Sequence, residues 1–248
     1  MISNLWNTLL YEPMLNLLAA ISAVMPGADV GIAIIILTII VKIVIFPLTQ
    51  KSIHSQNKVK MLDPELRKIK IKYKTKEEQA RKTMDLYKAN KVNPFSGILL
   101  ALVQIPIIFA LYKVAGNEID FSRDSMYSFI SVPEHVNTSF LGIIDIKEKS
   151  AVLAFLAGVS QYFFGMLSIP KSSLVEGEDP NSFKNSFARS MNIQFRYILP
   201  VVIIFIAYTL PSALALYWIT SNIFSIGQYW YANKISAKNK DISVIPAS

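Results

Sequence analysis

The amino-acid sequence predicts an all-α polytopic membrane protein, and three observations carry that expectation. Apolar stretches long enough to cross about 30 Å of hydrocarbon recur along the chain. The chain is 52% hydrophobic yet carries a net charge of +8, a pairing seldom met in soluble domains and usual in multi-span proteins with basic cytoplasmic loops. The charge is also unevenly shared among the connecting segments. Residues 50–93 hold 13 Lys/Arg against 5 acids and residues 116–149 hold 3 against 6. Residues 170–196 hold 4 against 3, and the tail from 232 holds 3 against 1.

The first apolar run, 30–49, contains VGIAIIILTIIVKIVIF and closes at Phe46-Pro47. Second and third runs cover 94–115 and 150–169. The apolar region 197–231 is too long for one span, and Pro211 divides it into a short helix (197–210) and a longer one (211–231), with Pro at a favourable helix start. Five spans result. The positive-inside rule places the loops 50–93 and 170–196 and the tail 232–248 in the cytoplasm, with the loop 116–149 and the N-terminus outside. An odd number of spans agrees with that orientation.

Before the first span, apolar residues such as Leu5, Trp6, Leu9, Leu10, Met14 and Leu18 recur at roughly helical steps, with Asn4, Asn7, Thr8, Glu12 and Asn16 between them. That spacing predicts an amphipathic helix over 2–24, within an extracytoplasmic segment 1–29, lying on the membrane surface and kinked by Pro13. A sixth span is the alternative. No Lys or Arg precedes Lys42, so the basic n-region of a signal peptide is missing.

The basic segment 50–93 reads as a cytoplasmic helical hairpin. From Lys51 to Lys72, Val59, Leu62, Leu66, Ile69 and Tyr73 recur at three- and four-residue steps; from Thr75 to Ala89, Ala80, Met84 and Tyr87 do so. Each helix is mostly polar with a thin apolar seam, which predicts a mobile unit of low local stability. Its charge suits a solvated face, anionic lipid or ribosomal RNA, and the sequence leaves these open.

Lys42 is the one cation inside the first apolar run. A charge at the bilayer centre costs at least about 2.5–3.5 kcal/mol, so an intramembrane lysine marks a functional candidate; the alternative is that it snorkels to the headgroups. Thr38 lies four residues earlier on the same face. Gln104 falls in the second span, Ser160 and Gln161 in the third, and Trp218, Ser221, Asn222, Ser225 and Tyr229 on one face of the fifth. Taken singly, such residues are commonly interhelical glue. Taken together they predict a polar, water-accessible groove among the spans, and no Asp or Glu in any span pairs with the lysine. An unpaired cation there is suited to receiving an anion transiently. No catalytic centre, metal site or cofactor is expected: cysteine is absent, His54 and His135 lie outside the apolar runs, and no phosphate-binding loop, G-x-S-x-G or H-E-x-x-H occurs.

Several segments resemble the YidC/Oxa/Alb insertases, in particular the short Gram-positive type. They are KIVIFPLTQKS (42–52), KMLDPELRKIKIKY (60–73), LYKANKVNPFSG (86–97), LVQIPIIFALYKV (102–114) and PSALALYWITSNIFSIGQYW (211–230). The resemblance implies five helices around a hydrophilic groove that is open to cytoplasm and lipid, closed outside, and holds a single basic residue. Lys42 stands where most bacterial members carry Arg, keeping the charge but losing the bidentate fork. By the same resemblance Thr38, Gln161 and Trp218 fall at groove-lining positions. The implied function is a membrane protein insertase and chaperone in the bacterial plasma membrane. Its implied partners are nascent membrane proteins and the bilayer, with the ribosome and the Sec translocon as further candidates, and it would work as a monomer. The alternative is a small secondary transporter or channel, against which stand the missing intramembrane acids and the lack of an internal repeat.

Overall fold

Helices dominate this chain, as expected where lipid offers backbone groups no partners and each segment must satisfy its own. The computed structural model describes residues 6–93, 96–116, 126–130, 136–168 and 193–238. Most of the expected cytoplasmic loop 170–196, together with His135 and the end of the tail, lies outside the described residues. The helices are α1 (Glu12–Val24), α2 (Val30–Val44), α3 (Phe46–Met61), α4 (Asp63–Lys72), α5 (Lys76–Ala89), α6 (Ser96–Gly116), α7 (Ala151–Ser168), α8 (Leu199–Thr209) and α9 (Ser212–Lys238). A two-stranded antiparallel ribbon, β1 (Ser139–Phe140) and β2 (Ile144–Asp145), is joined by a turn with Gly142 at φ +70°. Among the described residues, α7 alone is a single helix long and apolar enough to cross a membrane; α2 with α3 qualifies if the bent pair counts as one span.

The chain forms two units. The first comprises Met1–Ile45, Val103–Ile169 and Ile193–Ile226. Its core gathers Leu15 and Leu18 of α1, Ile34 and Leu37 of α2, Leu111 of α6, Ala154 of α7, Ala207 of α8 and Leu214 of α9. The buried face of α6 shows why it is helical: Ile107, Ala110, Leu111 and Val114 recur at three- and four-residue steps. Gly158 of α7 admits Ile204 and the Pro200 carbonyl of α8; a Cβ there would overlap the Ile204 side chain and stand 3.0 Å from that oxygen.

Two prolines at helix entries in this unit, Pro13 and Pro200, follow the same device. A π-turn, Asn7–Tyr11, runs into α1 and closes with Glu12 N donating to Asn7 O just before Pro13; a second, Gln194–Ile198, closes with Leu199 N donating to Gln194 O just before Pro200. A widened turn accommodates a ring that cannot donate and would otherwise crowd the carbonyl four residues back. Pro13 therefore stands in the first turn of α1 rather than kinking its middle. Asn16, expected on the polar face, is instead buried: its Nδ2 donates to Glu12 O at 2.8 Å and its Oδ1 accepts from Tyr127 N at 2.7 Å. One face of α1 packs on α2, and Lys113 of α6 holds the turn before it, with its ammonium 4.0 Å from the Tyr11 ring centroid.

The second unit comprises Phe46–Leu102, Pro170–Asn192 and Gly227–Ser248. The expected helix from Lys51 to Lys72 is two helices, α3 ending at Met61 and α4 starting at Asp63, with Pro64, which has no N–H to donate, in the first turn of α4. The apolar run 30–49 is likewise broken at Ile45, ahead of Pro47 in the first turn of α3. Leu62, Ile69, Leu86 and Val92 form a small core, with Val59, Leu66, Tyr73 and Tyr87 against it. The seam of α5 thus runs through Leu86 rather than Ala80 and Met84, which are exposed. Gln79 fixes that rotation: its Nε2 donates to Tyr73 O at 2.7 Å and to Lys70 O at 3.3 Å, so position 79 faces α4. At the break, burial pushes the Asp63 carboxyl above its usual range, against the opposing pull of Arg67, Lys70 and Lys60.

Candidate polar site around Lys42

Every residue expected at the groove lies in the first unit except Tyr229, which lies in the second. α2 begins at Asp29, whose Oδ1 accepts from Ile32 N at 3.1 Å and caps the helix. From that start, Val30, Ala33, Ile34 and Leu37 are buried among apolar neighbours. Thr38 and Lys42, one turn apart, are buried too, at 1% and 7% exposure. The Thr38 hydroxyl donates to Ile34 O at 2.6 Å, so it brings no free donor to the site. Lys42 Nζ donates to Ser225 Oγ of α9 at 3.2 Å. Among the described residues no carboxylate lies within ion-pairing distance of that ammonium; Lys68 and Glu65, by contrast, pair at the surface at 2.6 Å.

A second link joins α9 to α7. Asn222 Nδ2 donates to Ser160 Oγ at 3.0 Å, and Ser160 donates in turn to Ala157 O at 2.8 Å. Ser221 is buried beside the Tyr217 hydroxyl, which is also buried and has no hydrogen-bond partner of good geometry among the described residues. Trp218 is half-buried against the apolar core, and Gln161 is buried on α7. Direct bonds therefore bring together Lys42 with Ser225 and Asn222 with Ser160. Gln104 is half-buried on α6 and makes no hydrogen bond among the described residues. A lysine ammonium offers three donors, so a group supplying only neutral hydroxyl oxygen leaves the positive charge uncompensated.

Of the polar stripe of α9 beyond Ser225, only Tyr229 was expected from the sequence; it lies in the second unit and donates to Gln56 Oε1 at 3.0 Å. Gln228 and Asn233 continue the stripe there unannounced, Gln228 Nε2 donating to Thr49 Oγ1 at 2.7 Å and Asn57 Nδ2 donating to Asn233 Oδ1 at 2.9 Å. A further step of three or four residues would have found both. Also missed was Asp29, an acid directly before an apolar run, which is a legible capping signal. No group of three or more His, Asp or Glu that could hold a metal ion occurs among the described residues.

The profile of the family described as 60Kd inner membrane protein matches residues 21–240. The chain belongs to that family. It is 34% identical over 220 residues to a membrane protein insertase YidC of Clostridium tetani, covering 87% of this chain and 88% of that protein. A protein of the same name from Fusobacterium nucleatum is 35% identical over 208 residues, covering 84% of this chain and 87% of the relative. The Pelobacter propionicus namesake is 34% identical over 231 residues, 93% of this chain and 39% of its own length. Membership accords with the YidC/Oxa/Alb motifs quoted above and with a bacterial inner-membrane protein.

Proposed function

We propose that this chain is a membrane protein insertase that lets nascent segments enter the bilayer through a polar groove carrying the Lys42 charge. The observation that carries the reading is a buried ammonium with a neutral hydroxyl partner and no carboxylate within ion-pairing distance among the described residues. In this reading five spans, centred on α2, α6, α7, α8 and α9, surround the groove, which also includes Thr38, Gln104, Gln161, Trp218, Ser221, Asn222 and Ser225. The groove opens to cytoplasm and lipid. α4 and α5 form a cytoplasmic hairpin, and the N-terminus lies outside.

The physical sequence follows from partitioning. A polar or acidic tail enters the wet groove, which shortens the hydrocarbon it must cross. Lys42 attracts the acidic tail briefly, Ser225 giving up the ammonium to it. The apolar span that follows then slides into lipid. The apolar helix formed by α8 with its entering π-turn, Arg196–Thr209, is only about 21 Å long at about 1.5 Å per residue, and such a mismatch thins the bilayer locally. Apolar burial drives the process, so no nucleotide and no covalent step is needed. Clients are nascent membrane proteins delivered from the ribosome, with or without the Sec translocon, and one copy of the chain suffices.

The purified protein in liposomes is expected to insert a single-span client bearing a short acidic N-terminal tail, without nucleotide, so that the tail becomes protected from external protease. Solute flux across the vesicles with no gain in client insertion would instead support a small transporter or channel.

A further inference from the structure

We infer that the extracytoplasmic segment from Asn137 to Glu148, latched by Asp29 and Ser212, is a clamp that fixes the outer ends of α2 and α9 and closes the polar site from outside. The assignment rests on the insertase reading and names the residues that would keep its groove one-sided.

The first N–H groups of a helix have no partner within it, and left unpaired away from water each one is destabilising. Here one short segment supplies partners to two helices at once. At α2, Val30 N donates to Asn137 O at 3.0 Å, and Asn137 N donates back to Ala28 O at 3.1 Å. At α9, Ser212 N donates to Glu148 O at 2.9 Å and Ala213 N to Ile146 O at 3.0 Å, with the Ser212 hydroxyl adding a bond to the Glu148 carbonyl. Ile146 is fully buried between these bonds.

Asp29 joins the two halves of the arrangement. Its carboxylate is buried at 6% exposure and divided: Oδ1 caps α2, while Oδ2 accepts from Leu141 N at 2.9 Å in the turn of the ribbon. Phe140 lies against Gly31, so close that a Cβ there would come within 2.5 Å of its ring. α2 and α9 are the helices that bring Lys42 to Ser225, so the clamp at their outer ends sets the spacing on which that contact depends. Asp29 is thus a positioning residue that acts through the loop and touches no client.

Asparagine at 29 separates its two tasks. Its carbonyl oxygen still caps α2, since Asn and Asp cap equally well, but its amide cannot accept from Leu141 N–H. The chain has no cysteine, so Ser225→Cys gives a unique thiol at the site for a membrane-impermeant maleimide. In the parent, labelling is expected in inverted vesicles and not in right-side-out ones. Adding Asp29→Asn is expected to raise right-side-out labelling about tenfold, the change expected when a bond to a charged acceptor is lost, while the inverted-vesicle rate holds. Ser212→Ala, which leaves Asp29 intact, is expected to act in the same direction, and it decides the matter if the Asp29 variant does not accumulate. Outside labelling unchanged in the accumulating variants overturns the clamp. A parent unlabelled in inverted vesicles counts against the open groove alone, because the outside rate of the Asp29 variant still reads the clamp.

Discussion

Gly158→Leu is expected to separate α7 from α8 and to lower the thermal unfolding midpoint of the detergent-solubilised protein by about 5 °C or more. The position has no room: even a single Cβ would overlap the Ile204 side chain and stand 3.0 Å from the Pro200 carbonyl. The side chain of Ile204 can rotate away, but the carbonyl belongs to the first turn of α8 and moves only with the helix. Overpacking of this kind costs about 1–3 kcal/mol. Shortening the opposing side chain separates steric conflict from a general intolerance of the site: Gly158→Ala paired with Ile204→Ala should recover most of the midpoint lost by Gly158→Ala alone. An unchanged midpoint in Gly158→Leu would mean that α7 and α8 do not pack as described.

The second large effect is expected at Lys42. Two like charges 4 Å apart repel by about 4 kcal/mol at an effective dielectric constant of about 20. Even a third of that is about tenfold in an equilibrium. Lys42→Glu is therefore expected to reduce insertion of an acidic-tailed client by about tenfold or more relative to a neutral-tailed twin. Lys42→Ala should fall between, and Lys42→Arg should retain insertion. Normalised to the amount of insertase present, the ratio of the two clients reports charge capture. A snorkelling anchor gives a different pattern, in which Lys42→Ala lowers insertase abundance and both clients lose insertion in equal proportion.

The sequence made the site legible where chemistry stood out against its surroundings. Lys42, Thr38, Ser160, Asn222 and Ser225 are polar residues on apolar helices, and the hydrogen bonds join Lys42 to Ser225 and Asn222 to Ser160. What it concealed depends on partners far along the chain. Asn16 read as one more polar residue of an amphipathic helix, whereas its burial is stabilised by Tyr127, 111 residues away. Asp29 holds Leu141 at a separation of 112 residues, and no periodicity encodes such a bond. The apolar pattern of α5 also misled, because Ala80 and Met84 are spaced as a seam, while the amide of Gln79 turns the helix so that Leu86 is buried. The breaks at Leu62 and Ile45 are both written locally, in Pro64 and Pro47; Phe46-Pro47 was legible as the close of an apolar run, whereas the three- and four-residue steps run through Pro64.

The central claim is that a client passes along the polar faces of α2 and α9. A photoreactive amino acid placed at Trp218, half-buried beside the site, should crosslink to a ribosome-stalled membrane-protein chain whose first span has just emerged. The same probe at Phe205, which is 70% exposed on α8, serves as the reference away from the site. Crosslinks strong at 218 and weak at 205, and lost from 218 when the client is released into lipid, are the predicted result. Crosslinks at 205 with none at 218 would contradict the account, placing the client on the outer surface of the bundle rather than beside Lys42.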